Sequence, residues 1–176
     1  MDIWPDDYQG AWTLAKSVSR SGIGLHNGDD SEVVLYPSEM AGFHVSWRNQ
    51  KEPPITLNPN QVRDSPLCTT LEIGKKTLST VEHLLSALAG CGLTHINIEV
   101  SGEEIPLLDG SAKSWVEAIR EAGILPAKTP CKAQPVLTEP LLIHRGQSVI
   151  TATPSDSFKL VGMIDFSYQA IGQQMF

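Results

Sequence analysis

Cysteine is scarce in this chain, and any excess of positive charge is missing. The three cysteines, Cys68, Cys91 and Cys131, are an odd number without C-x-x-C spacing. That argues against a disulfide framework and against a cysteine-only zinc site, and it fits a reducing compartment. Thirteen Lys and Arg stand against 20 Asp and Glu, a net charge of −7, and no Lys/Arg block offsets it. A nucleic-acid footprint is therefore not expected. Long apolar runs are lacking too. The longest, Leu84 to Leu93, falls far short of the roughly 20 residues that span a bilayer. Met1 to Trp12 carries three Asp and no basic residue, unlike the start of a signal peptide. These features predict a cytoplasmic protein without a transmembrane segment. Internal repeats and low-complexity tracts are also missing. What remains, over 176 residues with 41% hydrophobic and 19% charged, is ordinary globular composition.

Periodicity sketches the fold. A Gly-rich turn runs from Ser21 to Gly28, and a strand is expected over Ser31 to Tyr36. Phe43, Val45 and Trp47 alternate with His44, Ser46 and Arg48, which predicts a half-buried strand. Gln50 to Pro66 reads as loop, and Leu67 to Ile73 as a further strand. Ser79-Thr80-Val81-Glu82 has the S-x-x-E pattern of a capping box, followed by Val81, Leu84, Leu85 and Leu88 at helical spacing. Ile96, Ile98 and Val100 are predicted to face a core while His95, Asn97 and Glu99 face away. A second helix is expected from Ser111 to Ala122, with Trp115, Val116, Ile119 and Ala122 buried and Gly123 as its stop. Four prolines between Leu125 and Pro140 suggest a linker at 126–134. The expected class is α+β: a two-layer sandwich of a small, mostly antiparallel sheet on helices in a first domain at 1–125. Residues 135–176 read as the first strands of a second similar domain, without helices to cover them.

Few residues point to chemistry on local pattern alone. Glu82-His83 at the start of a helix suits a metal ligand next to a base. On local pattern alone a capping-box Glu beside a half-exposed His is the simpler reading. His26, His44, His95 and His144 stand singly, without H-x-x-x-H or H-x-x-x-D spacing. Gly22-x-Gly24 lacks the ending of a phosphate loop. Asp109 and Ser111 could cap the second helix, or Asp109 could hold a partner His in position. Cys68 reads as a small core residue.

In order and spacing, four segments resemble the UDP-3-O-acyl-N-acetylglucosamine deacetylase family, zinc hydrolases of lipid A biosynthesis. They are Ser21-Gly22-Ile23-Gly24-Leu25-His26-Asn27-Gly28; Val62-Arg63-Asp64 with Leu67-Cys68-Thr69; Ser79-Thr80-Val81-Glu82-His83-Leu84 through Ala87-Leu88-Ala89-Gly90; and Ile105-Pro106 with Asp109-Gly110-Ser111-Ala112. The resemblance runs from about Trp12 to Ile171. It implies two similar α+β domains with the site between them. Glu82 matches the general base that activates the attacking water, and His83 the first-domain zinc ligand. Leu67 and Cys68 match the wall of the substrate passage. The reaction implied is removal of the N-acetyl group from UDP-3-O-acyl-N-acetylglucosamine, releasing acetate. His26 and Asp109 fall in matched segments as supporting or structural residues. The family's remaining zinc ligands, a His and an Asp four residues apart, have no match here. The resemblance therefore predicts an N-terminal part that needs its C-terminal domain or a complementing chain for activity. Two alternatives stand beside it. One is a naturally short, non-catalytic binding or regulatory module. The other is a small complete enzyme that builds its zinc site from His83 with His26 or Asp109.

Overall fold

A computed structural model describes residues 4, 5, 7, 10–131 and 136–176 of the chain. The chain divides into two compact units, Met1–Lys132 and Ala133–Phe176. The elements of the first unit are β1 (Trp12–Leu14), β2 (Val18–Ile23), β3 (Asp30–Pro37), β4 (Gly42–Trp47), β5 (Ile55–Thr56), β6 (Val62–Arg63), β7 (Thr70–Ile73), β8 (Lys76–Leu78), α1 (Glu82–Gly90), β9 (His95–Val100), α2 (Lys113–Ala122) and β10 (Ile124–Pro126). Mixed α+β architecture is what the sequence predicts.

A five-stranded sheet in the order β2-β3-β9-β4-β5 carries the unit. Only the β4–β9 pair is parallel; the other three are antiparallel. Alternation explains the register. Val18 pairs with Leu35, Leu35 with Ile98, Ile98 with Val45 and Val45 with Ile55. One apolar row thus crosses all five strands on one face. A one-residue slip in any strand would turn its member of that row to the other face. Against the sheet pack α1, through Leu84, Ala87 and Leu88, and α2, through Trp115, Ala118, Ile119 and Ala122. β6, β7 and β8 form a separate antiparallel sheet.

β9 departs from expectation at its first residue. Ile96, Ile98 and Val100 are buried as predicted, and Asn97 and Glu99 are half-buried, but His95 is completely buried. Residues distant in sequence cover that end: the Thr13 hydroxyl donates to the His95 carbonyl oxygen at 2.7 Å, and Thr94 N–H donates to Trp12 O at 2.9 Å. Burial holds the His95 imidazole below its usual pKa, against the opposing pull of the Glu39 charge.

Helix starts depart as well. The capping box at Ser79 does not form: Val81 occupies the N-cap of α1 and no side chain caps it. The Ser79 hydroxyl lies 3.1 Å from that of Thr70 instead, and Ser79 N–H donates to Glu103 O. At α2 the N-cap is Ala112, not Ser111, although the Ser111 hydroxyl still accepts Lys113 N–H at 3.1 Å. Gly123, at φ +74°, ends that helix in a conformation that favours glycine.

The linker expected at 126–134 reaches beyond the described residues at 132–134. Its first part is bonded to the first unit. β10 pairs antiparallel with β1, Trp12 opposite Pro126, and Ala127 N–H donates to Ala11 O.

The second unit contains two antiparallel hairpins, β11 (Leu141–Arg145) with β12 (Ser148–Ala152) and β13 (Met163–Asp165) with β14 (Gln173–Met175). All four strands lie within 135–176, the stretch read from the sequence as strands. Large apolar residues here stand open, Phe158 at 93% exposure among them. Among the described residues of the chain, no helix is long and apolar enough to cross a membrane.

Candidate functional site

Two backbone clamps fix the start of α1. On one side Ser79 N–H donates to Glu103 O and Ile105 N–H to Ser79 O, a parallel bridge to the 103–105 segment. On the other, Val81 N–H reaches Thr69 O at 3.4 Å. Between them Thr80 takes φ +58°, the left-handed region that a β-branched residue disfavours.

Glu82 and His83 emerge from this turn. Glu82 does not fold back onto its own helix: its Oε2 accepts Thr69 N–H at 3.0 Å. Among the described residues its other oxygen has no hydrogen bond. His83 follows, half-exposed, with no hydrogen bond to its ring among the described residues. A carboxylate held by one oxygen beside an unengaged imidazole can take a proton and donate one nitrogen lone pair.

Cys68 precedes the residue that holds Glu82, so the structure brings these two predicted residues together. Its Sγ lies 3.3 Å from the Ser65 hydroxyl and 3.6 Å from that of Thr70. Burial pushes the thiol pKa up, and hydrogen bonds from Ser65, Thr70 and Thr80 outweigh it, leaving the thiol below its usual value. Leu67, one residue earlier, is 78% exposed.

Sequence reasoning missed Glu104, because its partners are distant in the chain. Glu104 is 2% exposed. Its carboxylate accepts the Thr80 hydroxyl at 2.8 Å, His26 N–H at 3.1 Å and Asn27 N–H at 3.0 Å. Gly24 is required by this arrangement. A Cβ there would collide with the Asn27 and Glu104 side chains. The Gly-rich turn therefore wraps a buried carboxylate, and His26 joins the network through its backbone while its side chain points to solvent. Burial alone would raise the Glu104 pKa; the bonds from Asn27, Thr80 and His26 reverse this and hold it below the usual carboxylate value. The stability it contributes is then present above its unfolded value of about 4.3 and is lost as pH falls through the lower folded value. Urea midpoints taken from about pH 6 down to about pH 3 should fall for the parent chain, and less steeply for Glu104→Gln. Parallel profiles would reject the assignment.

Asp109 is exposed and self-contained. Its carboxylate accepts Ser111 N–H and the Ser111 hydroxyl, each at 3.1 Å. Those bonds lower its pKa. It bonds neither His26 nor His83 among the described residues. A groove of about 400 Å³ lined by Trp47, Lys51, Ile73 and Lys76 shares no residue with Glu82-His83.

A zinc site normally takes three protein donors and an open position. Among the described residues, no three His, Cys, Asp or Glu side chains are grouped to hold a metal. His83 fits one corner of such a site, and these residues do not complete it.

Comparison with known proteins gives the context. The family model described as UDP-3-O-acyl N-acetylglycosamine deacetylase matches residues 11–176. A UDP-3-O-acyl-N-acetylglucosamine deacetylase of Thermosynechococcus vestitus is 37% identical over 164 residues, covering 92% of this chain and 57% of the relative. Relatives of the same name from Nostoc sp. and Histophilus somni are 37% and 39% identical over 167 residues, covering 93% of this chain and 60% and 54% of themselves. The chain thus spans little more than half the length of these curated relatives. With the match running from the first paired strand to the last residue, the chain belongs to the UDP-3-O-acyl N-acetylglycosamine deacetylase family.

Proposed function

We propose that this chain supplies the Glu82–His83 half of a zinc-dependent amide hydrolase site, which removes the N-acetyl group of UDP-3-O-acyl-N-acetylglucosamine in lipid A biosynthesis. The observation that carries the reading is the Glu82 carboxylate, drawn off its own helix by Thr69 N–H next to an unengaged imidazole. Family membership supplies the substrate class.

Each residue has a role in this reading. Glu82 is the general base: one oxygen stays with Thr69 N–H while the other takes the proton of the attacking water. His83 offers one nitrogen to the metal. Bound zinc would supply Lewis acidity at the amide carbonyl. The remaining donors come from protein outside these 176 residues, a C-terminal domain or a complementing chain. Leu67 and Cys68 line the substrate passage, where the exposed Leu67 suits the apolar acyl chain. His26 and Asp109 are structural, one through its backbone bond to Glu104 and the other through its bonds to Ser111. The reaction takes place in the cytoplasm, where the UDP-sugar is available.

The test is acetate release from UDP-3-O-acyl-N-acetylglucosamine by the whole protein. A chelator should stop it and added Zn²⁺ restore it. Turnover indifferent to chelation, or none with metal present, would overturn the reading.

A further inference from the structure

We propose that Glu104 is a positioning residue for the Glu82–His83 pair, acting through Thr80 to hold the left-handed turn from which α1 starts. The proposal rests on the functional reading above for the importance of that pair, while its geometry stands independently.

Thr80 is the pivot. A β-branched side chain at φ +58° is strained, so something must hold it there. Its hydroxyl donates to Glu104 Oε1 at 2.8 Å, the bond to a fixed buried charge, and it also interacts with the Cys68 thiol. Two residues later the Glu82 carboxylate meets Thr69 N–H. If Thr80 relaxed to negative φ, the peptide leading into Val81 would rotate. The first turn of α1 would swing with it, and Glu82 and His83 would leave their present direction together.

A carboxylate suits this task better than an amide. Glu104 takes three donors on two oxygens: a hydroxyl and the backbone N–H groups of His26 and Asn27. A carboxylate offers about four lone-pair positions and no competing N–H. Glutamine would turn an NH₂ toward one of those donors. The same group also pins the Gly24–Gly28 turn, so one buried charge ties that turn and the start of α1 to a single point.

Thr80→Val removes the hydroxyl with little change of shape, whereas Thr80→Ser keeps it. Glu104→Gln is the more drastic change and risks global unfolding, so the Thr80 pair is the working test. Amide exchange in the full chain would be read at Thr69, which reports the Glu82 bond, and at Ile98, which reports the central sheet. A general loss of stability raises the Ile98 rate at least as much, so only an opening local to the start of α1 raises the ratio. In Thr80→Val the Thr69-to-Ile98 ratio should rise about five- to tenfold, the loss of one hydrogen bond. In Thr80→Ser it should stay within about twofold of the parent. Cys68→Ala removes the thiol contact alone and should leave the ratio near the parent's. An unchanged ratio in Thr80→Val overturns the proposal, and so does an equal rise in Thr80→Ser or in Cys68→Ala. Neither reading uses catalysis, so failure of the deacetylase assignment would leave the positioning result standing, and the reverse.

Discussion

Glu82→Gln is expected to lower kcat/KM for N-acetyl hydrolysis by about 10²- to 10⁴-fold in the whole protein, with zinc content unchanged. The amide keeps the shape of the side chain, and its oxygen can still accept Thr69 N–H in place of Oε2. What it loses is the ability to take a proton. His83→Ala should differ in kind. On the function proposed above it removes a metal donor, so zinc content and turnover should fall together. Metal analysis beside steady-state kinetics separates the two variants. A Glu82→Gln protein within about tenfold of the parent, less than general-base catalysis normally contributes, would remove Glu82 from the mechanism. Loss of zinc from Glu82→Gln would recast the carboxylate as a ligand.

Trp115→Ala is expected to destabilise the first unit by about 3–5 kcal/mol, the largest effect on stability foreseen here. Trp115 is fully buried on α2, in the stripe with Ala118, Ile119 and Ala122. Replacing it leaves a void where the helix meets the core, and close-packed surroundings relax only partly around such a void. Its indole nitrogen is buried without a hydrogen-bond partner among the described residues. Trp115→Phe should therefore cost less than half as much, because it discards an unsatisfied N–H while keeping most of the ring. Urea unfolding of both variants gives the comparison. Equal losses would mean the indole N–H does find a partner, and that the void is not the main cost.

How much of this was legible beforehand depended on the range of the interaction. Strand alternation placed Ile96, Ile98 and Val100 correctly, because inward and outward faces repeat within a few residues. The buried stripe of α2 was legible for the same reason. The S-x-x-E pattern misled. It assumes that Glu82 bends back to its own helix, whereas Thr69 N–H, thirteen residues upstream, competes for it and wins. His95 looked like the polar partner in an alternating strand, yet the first strand and the segments near Glu39 and Thr129 bury it. Glu104 left no local sign at all, since its donors come from Thr80 and from a turn nearly eighty residues earlier. For Glu82 and His83 local pattern offered two readings, a base beside a metal ligand or a capping-box Glu beside a half-exposed His, and the resemblance favoured the first. The structure adds the reason their direction is fixed.

The pairing of β1 with β10 has a mechanical consequence. Trp12 lies opposite Pro126 and Leu14 opposite Ile124, so both ends of the first unit leave from the same end of a three-rung ladder. Tension applied through those ends would peel the rungs one after another, as a zipper opens, instead of shearing them together. The five-stranded sheet and its helices lie behind that zipper. A stretched chain would therefore load these rungs, and the bonds that join Trp12 and Thr13 to Thr94 and His95, before Glu82 and His83.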